Sequence, residues 1–321
     1  MKILIITHGD EYNPKAFCGR WHSLPPLFRK AGHEVRHILK KDWKKFYFKY
    51  LKFKPDIVIC VGVIGAAVCF MKKLNLINVP IVNGCTDNWT EVMGRTHGID
   101  RIAFLEHYAI KNSDFITTPS RAMEKKCELF GKKVFYIPHG IDKVFDNFDD
   151  IMPAKLPGKL KVLYVGGATK YKRITSLIES VKGLDCDVYI IGKVDIEIKD
   201  CPPNLHFVGQ VDHKNIPQYL KAADILVLTP NDDSTLKMFE YIRAGKCILA
   251  VKGRVGYFLD HMENAYLTYD LREGLEKLIK DENLRERLAK NMRKIKIRSW
   301  EDVAKEYLEF LENVVLKDKK Q

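Results

Sequence analysis

Ile225-Leu226-Val227-Leu228-Thr229-Pro230-Asn231-Asp232-Asp233-Ser234-Thr235-Leu236-Lys237-Met238-Phe239-Glu240-Tyr241 reads as a buried strand, a short polar turn and the start of a helix. Four apolar residues ended by Thr-Pro suit a strand covered on both faces, as in a parallel sheet. In open α/β sheets ligands gather at the carboxyl ends of such strands. The helix that follows offers unpaired N–H groups and the positive end of its dipole to an anion. Asp232 and Glu240 stand eight residues apart around this turn, and Lys237 adds a positive charge between them. Glu240 falls one to two helical turns in, within reach of a sugar hydroxyl. A diphosphate joined to a ribose is the ligand this arrangement suits.

Apolar runs alternate with amphipathic stretches on both sides of the quoted segment, the pattern of a parallel α/β architecture. The runs predict strands over 2–7, 34–38, 56–61, 81–83, 115–117 and 134–137, and again over 160–165, 186–191, 205–208, 225–228, 247–251 and 265–267. Asp146 to Gly158, acidic and then carrying Pro153 and Pro157, has the composition of a linker. The halves echo each other: Ser113-Asp114 leads into Phe115–Thr118 and Pro119, as Ala223-Asp224 leads into Ile225–Thr229 and Pro230. The expected organisation is an N-terminal Rossmann-like domain over 1–148 and a second over 158–298. A final helix at about 300–316 is expected to return to the first. Its apolar stripe is Trp300, Val303, Ala304, Tyr307, Leu308, Phe310 and Leu311.

The 321 residues are 46% hydrophobic and 30% charged, the composition of a soluble globular protein with room for two cores. The net charge of +13 points to anionic partners: nucleotide sugars, anionic lipid or nucleic acid. Cysteines 18, 60, 69, 85, 127, 186, 201 and 247 show no zinc-knuckle spacing, and several lie in apolar runs, so a reducing cytoplasm is expected. The run Met1–Ile6 is too short for a signal peptide and reads as a strand. Ile57–Phe70 is only 14 residues, broken by Gly62 and Gly65, and reads as a strand turning into a helix rather than a membrane span.

With these motifs in order, the chain resembles a family 4 glycosyltransferase, a retaining enzyme of the GT-B fold with two Rossmann-like domains facing a cleft. Phe17-Cys18-Gly19-Arg20, followed by a helix ending Lys30-Ala31-Gly32-His33-Glu34-Val35, resembles the family's first loop and helix. Tyr136-Ile137-Pro138-His139-Gly140-Ile141-Asp142 resembles the segment closing the first domain. Tyr164-Val165-Gly166-Gly167, with Lys172 six residues after Gly166, resembles the loop opening the second. Leu205–Gly209 and Ala222–Ile225 match as well, and Asp232 and Glu240 occupy the two positions of the family's E-x7-E motif. Two departures stand out: Asp232 replaces the usual first Glu, and Gly167 stands where many members carry Arg.

The resemblance implies a donor site made of Gly19, Gly166, Gly167, Lys172, Val211, Ser234, Thr235, Leu236, Lys237 and Glu240. Lys172 and Lys237 would meet the diphosphate, with Lys170 or Arg173 as further cations. Glu240 would accept from the ribose hydroxyls. Asp87, Asp232 and Lys172 would stand closest to the transferred sugar and the breaking bond. Asp232, with Ser234 and Thr235, is also placed to cap the following helix, a role that can coexist with the first. His8 and His139 follow strands but read as structural histidines. No carboxylate triplet stands in a loop suited to a metal, so transfer without a metal or other cofactor is expected. The partners expected are a nucleoside-diphosphate sugar and a glycan, lipid-linked or small-molecule acceptor.

Trp43–Lys54 interleaves aromatic residues with lysines. On one helix Trp43, Phe46, Tyr47, Tyr50 and Leu51 would share a face, either packed on the sheet or laid on an anionic membrane. The rival readings lack their signatures. A nicotinamide enzyme needs G-x-G-x-x-G after a strand, which Gly62-Val63-Ile64-Gly65 does not supply. No P-loop or RNA-recognition motif supports nucleic-acid binding, so none is expected. A GT-B sugar-nucleotide epimerase or hydrolase remains an alternative.

Overall fold

The structure is a computed structural model, and it describes residues 1–7, 19–92, 98–167, 174–198, 200–229 and 232–318. The chain divides into two units. One runs to Gly140 and resumes at Ser299; the other holds Ile141–Arg298.

In the first unit the strands are β1 (Lys2–Thr7), β2 (Glu34–Leu39), β3 (Ile57–Val61), β4 (Ile81–Gly84), β5 (Phe115–Thr118) and β6 (Val134–Tyr136). They form one parallel sheet in the order β2-β1-β3-β4-β5-β6. The helices are α1 (Arg20–Lys30), α2 (Phe46–Phe53), α3 (Ile64–Lys73), α4 (Ile99–Asn112) and α5 (Arg121–Glu128). Right-handed crossovers put α1 on one face and α2 to α5 on the other, because the chain reverses direction across the sheet after β2. On the second face Phe46, Tyr50 and Phe53 of α2 and Val68 and Cys69 of α3 pack against Leu4, Ile6, Val58, Cys60 and Ile81. The last helix, α11 (Trp300–Asp318), belongs to this unit. Its Tyr307 ring lies 5.9 Å from Trp21 and 5.8 Å from Phe28 of α1, and its hydroxyl is 2.7 Å from Thr117 Oγ1 of β5. All seven residues of the expected apolar stripe are buried.

The second unit has β7 (Lys161–Val165), β8 (Asp187–Ile191), β9 (Leu205–Gly209), β10 (Ile225–Leu228), β11 (Cys247–Val251) and β12 (Tyr266–Thr268). Its order, β12-β11-β10-β7-β8-β9, is that of a dinucleotide-binding Rossmann sheet, with the reversal between β7 and β10. Its helices are α6 (Ile174–Ser180), α7 (Ile216–Ala222), α8 (Leu236–Ala244), α9 (Leu271–Lys280) and α10 (Glu282–Met292). Alternate strand residues feed two cores. Leu163, Leu226, Leu228 and Ile248 meet α7 and α8, while Val162, Val188, Val227 and Leu249 meet α6, α9 and α10. The stretch read as a linker begins in this core, since Phe148 is buried there beside Phe145.

The echo between the halves is a folding device. Asp114 accepts from the Ile81 amide at 2.7 Å, and Asp224 accepts from the Lys161 amide at 2.8 Å. Each satisfies the orphan N–H at the start of the neighbouring strand, which the parallel ladder leaves open.

The aromatic-basic run differs from its expected form. Lys40–Lys45 is a 3-10 turn and α2 starts only at Phe46. A 3-10 turn advances about 120° per residue rather than 100°, which rotates Trp43 off the helix's buried face. Phe46, Tyr50 and Phe53 are buried, while Trp43, Phe48 and Leu51 are exposed.

Candidate functional site

The parallel ladder between β7 and β10 stops early: Val162 pairs with Ile225 and Leu163 with Leu226, and nothing further. Beyond that point the strands diverge, β7 following β8 and β10 following β11. The splay opens the carboxyl ends of β7 and β10, the crevice where doubly wound sheets hold ligands. Tyr241 of α8 replaces the missing ladder bond, its hydroxyl accepting from the Val165 amide at 2.8 Å.

Gly166 and Gly167 follow β7 directly. Gly166 has φ +140°, and its amide donates to the Ile191 carbonyl at 2.7 Å. A Cβ on Gly166 would stand 2.9 Å from Lys237 Nζ and 3.2 Å from the Tyr164 hydroxyl. Gly192, after β8, also has φ +140°, and a Cβ there would lie 2.3 Å from the Gly166 carbonyl oxygen. Only glycine fits either place.

Lys237 lies in the first turn of α8 and is only 7% exposed. Its Nζ donates to the Tyr164 hydroxyl at 3.1 Å and sits 4.2 Å from that ring's centroid. Burial pushes the Tyr164 phenol up to about 12, against the opposing hydrogen bond with Thr229. Lys237 is therefore held on a neutral phenol, beside a glycine turn and a helix N-terminus.

Glu240, one turn further, is 6% exposed, and its Oε1 is 2.7 Å from His213 Nε2. Burial alone would lower the His213 pKa; the hydrogen bond and charge of Glu240, with Asp142 behind them, raise it overall. Sequence reasoning missed His213, which lies in a short 3-10 turn between β9 and α7. The signal available was a lone polar ring in the loop following a strand end.

Asp232 accepts from Ser234 twice, from its amide at 3.0 Å and its hydroxyl at 2.9 Å. The helix N-cap is Thr235, which makes no side-chain capping bond. Asp232 thus closes a turn ahead of α8 rather than capping it. Burial raises its pKa, opposed by the two Ser234 bonds; Asp233 adds to the rise and Arg254 opposes it. Ser234 and Leu236 are buried at the same turn. Val211 packs against the core that holds Met238 and Phe239. Lys172, with Lys170 and Arg173, lies outside the described residues, as does His8.

In the first unit, Gly19 is the N-cap of α1 with an ordinary extended φ of −75°. The neighbouring Arg20 is buried and donates to the Ile137 and Pro138 carbonyls, joining two of the motifs noted in the sequence. His139 is buried, edge-on to Trp300.

Asp87 lies just past β4, its Oδ2 accepting from Thr86 Oγ1 at 2.9 Å. The residues after it are anchored by Glu106 of α4, which is 2% exposed. Glu106 accepts from the Trp89 amide at 3.0 Å, the Thr90 amide at 3.1 Å, the Thr90 hydroxyl and Lys126 Nζ at 2.7 Å. Lys126 also reaches Asn88 Oδ1 at 2.8 Å. The Trp89 indole occupies the space a Cβ on Gly62 would need. This pair, with its carboxylate buried, fixes the segment after Asp87.

The groove at the opposite ends of the second sheet, lined by Asp224, Lys246, Arg285 and Arg293, has a different character. Arg285 is tied to the Leu278 and Ile279 carbonyls and Arg293 to the Gly245 carbonyl, so these cations hold helix ends. Among the described residues no group of three or more His, Cys, Asp or Glu is gathered as for a metal ion. Among them, too, no helix is long and apolar enough to cross a membrane. The cysteines described are all free thiols, buried except Cys201.

Residues 148–295 match the family "Glycosyl transferases group 1". No curated protein sequence matches the chain. Among solved structures, sucrose-phosphate synthase from Thermosynechococcus elongatus is similar with TM-score 0.81 and 17% identity, over 98% of this chain and 99% of that one. HepE of Anabaena, in complex with UDP-glucose, is similar with TM-score 0.72 and 15% identity, over 98% and 100%. UDP-GlcNAc 2-epimerase from Neisseria meningitidis, bound to UDP-GlcNAc, gives TM-score 0.59 and 12% identity, over 98% and 100%. At such identities these likenesses establish the GT-B fold, and the family match adds the activity class. Residues 148–295 thus carry a group 1 glycosyltransferase domain, and the protein is a glycosyltransferase.

Proposed function

We propose that the protein is a retaining transferase that moves a sugar from a nucleoside diphosphate to a glycan, lipid or small-molecule acceptor. The observation that carries this reading is the meeting of Gly166, Lys237 and the start of α8 where β7 and β10 part. The neighbours bound to UDP-glucose and UDP-GlcNAc support the donor class.

In this reading the Gly166 and Gly167 backbone, the N-terminus of α8 and Lys237 hold the diphosphate, with Lys172 as a second cation. Glu240 accepts from the ribose diol, and Val211, Ser234, Thr235 and Leu236 line the nucleotide's place. Asp232 and Asp87 contact the donor sugar, and Gly19 allows the first loop to approach. As the bond from C1 to the diphosphate breaks, the fixed cation and amides take up the charge left on the leaving oxygen. The acceptor oxygen bonds to C1 on the same face, and its proton passes to the departing diphosphate. No metal is required in this scheme.

The family match favours transfer over epimerisation, although both chemistries occur on this fold. The two separate on one observation: an epimerase converts the donor with no acceptor present. The test is product analysis with nucleoside-diphosphate sugars and candidate acceptors. A glycoside of retained configuration, diminished in Glu240→Ala and Lys172→Ala, is the expected result. Unchanged transfer in both variants would remove the site assignment.

The exposed Trp43, Phe48 and Leu51, beside Lys44, Lys45, Lys49 and Lys52, further suit peripheral attachment to an anionic membrane on its cytoplasmic side. Anionic liposomes at low salt should pull the protein down, and Glu at the four lysines should prevent it. Absence of binding at low salt would reject this attachment.

A further inference from the structure

Glu240 sits on a helix whose residues are almost all buried, so its carboxylate needs a partner inside the protein. Among the described residues that partner is His213, 2.7 Å away, the imidazole itself largely covered. The ring is not part of α8 or of any strand. It is carried by the 3-10 turn His213–Asn215 and stands edge-on to Phe145, with ring centroids 6.1 Å apart. Phe145 is fully buried in a turn that Asp142 caps, accepting from the Val144 amide at 3.1 Å. Three separate segments of the second unit thus meet around the His213 ring.

A glutamate has three side-chain torsions, and a diol is recognised only when the carboxylate meets both hydroxyls at hydrogen-bond distance. A donor fixed on Oε1 selects one rotamer and leaves Oε2 to accept from a ligand. We propose that His213 is a positioning residue for nucleotide recognition, holding Glu240 by Oε1 so that its other oxygen reads the ribose 2′- and 3′-hydroxyls. This inference rests on the ribose reading of Glu240. It adds a determinant of ribose over deoxyribose selection that lies outside the paired-carboxylate motif.

The experiment uses the full chain and calorimetric binding of UDP, GDP and ADP, each beside its 2′-deoxy counterpart. The quantity read is the ratio of ribo to deoxy affinity for whichever base binds. The wild type should favour the ribonucleotide about tenfold, the worth of one hydrogen bond to a charged group. Glu240→Ala should bring that ratio near one. His213→Phe, which keeps a ring of similar size without the donor, should do the same while leaving deoxynucleotide affinity within about twofold. Adding His213→Phe to Glu240→Ala should change nothing more. His213→Gln, which retains an N–H donor, should keep part of the preference and serves if the Phe variant does not fold.

A buried pair with a purely structural role would lower the melting temperature and leave the ratio intact. A wild-type ratio near one, or a ratio unmoved by Glu240→Ala, would defeat the ribose reading itself. A ratio that collapses in Glu240→Ala but survives in both His213 variants would overturn the present inference alone.

Discussion

Lys237→Met separates a phosphate-binding lysine from a buried structural one. Methionine keeps most of the stem's volume and removes the charge. In the unliganded protein the change removes a hydrogen bond of 3.1 Å to Tyr164 and a cation–ring contact at 4.2 Å. That contact is worth about 1–2 kcal/mol when desolvated. Against it stands relief from burying an ammonium that is only 7% exposed, a cost of several kcal/mol before its contacts are counted. The two oppose each other, so the unliganded variant should melt within a few degrees of the wild-type temperature. With a diphosphate bound, the lost bond is charge-assisted and worth about 1.5–3 kcal/mol, or about 10- to 150-fold in Kd. Turnover should fall by about 10²–10³, because charge on the leaving diphosphate grows as C1 departs. Calorimetry with a nucleoside diphosphate, a melting curve and an initial-rate assay read all three quantities. A variant that melts clearly lower yet binds nucleoside diphosphate within twofold of wild type would refute the reasoning.

Gly192→Ala should destabilise the protein by about 2 kcal/mol and weaken donor binding, since its Cβ falls 2.3 Å from the Gly166 oxygen at φ +140°. Gly256→Ala, with nothing within 4 Å, is the neutral control in the same thermal assay. Lys126→Met should cost about 3 kcal/mol by denaturant unfolding, because it leaves the Glu106 charge buried without its cation. Stability should also fall on acidification through His37, whose pKa is lowered from 6.5 to about 4 by burial and by the charges of His22 and Arg29. The unfolded chain takes up this proton below pH 6.5 while the folded chain resists until about 4, so stability present at neutral pH is lost across that window. At about 1.4 kcal/mol per pH unit the loss is at most about 3 kcal/mol, and partial exposure brings it nearer 2. The fall should be shallower in His37→Asn.

The fold was legible because both sheets are parallel and buried on two faces, so each strand shows as a continuous apolar run. Lys2–Thr7, Ile225–Leu228 and Cys247–Val251 are found where the runs end, and the other nine strands differ by a residue or so at their termini. The basic-aromatic run was misread in its register. Nothing in its composition marks the 3-10 turn that follows β2 directly and displaces Trp43. In the site, glycines and charges that follow strands were readable from local order alone. Partners distant in sequence were not. His213 lies 27 residues from Glu240, and Tyr164 lies 73 from Lys237. The Glu106 network was hidden for the same reason: a glutamate on an amphipathic helix looks solvated until Lys126 and the Thr90 segment fold onto it.

The central claim is that the crevice between β7 and β10 takes a nucleoside diphosphate through Lys237 and Glu240. It is tested most directly by titrating the full-length protein and its Glu240→Ala variant with UDP, GDP and ADP. At least one of them should bind the wild type saturably and one-to-one, and bind tenfold or more weakly to the variant. Equal binding by both proteins, or none by either, would contradict it.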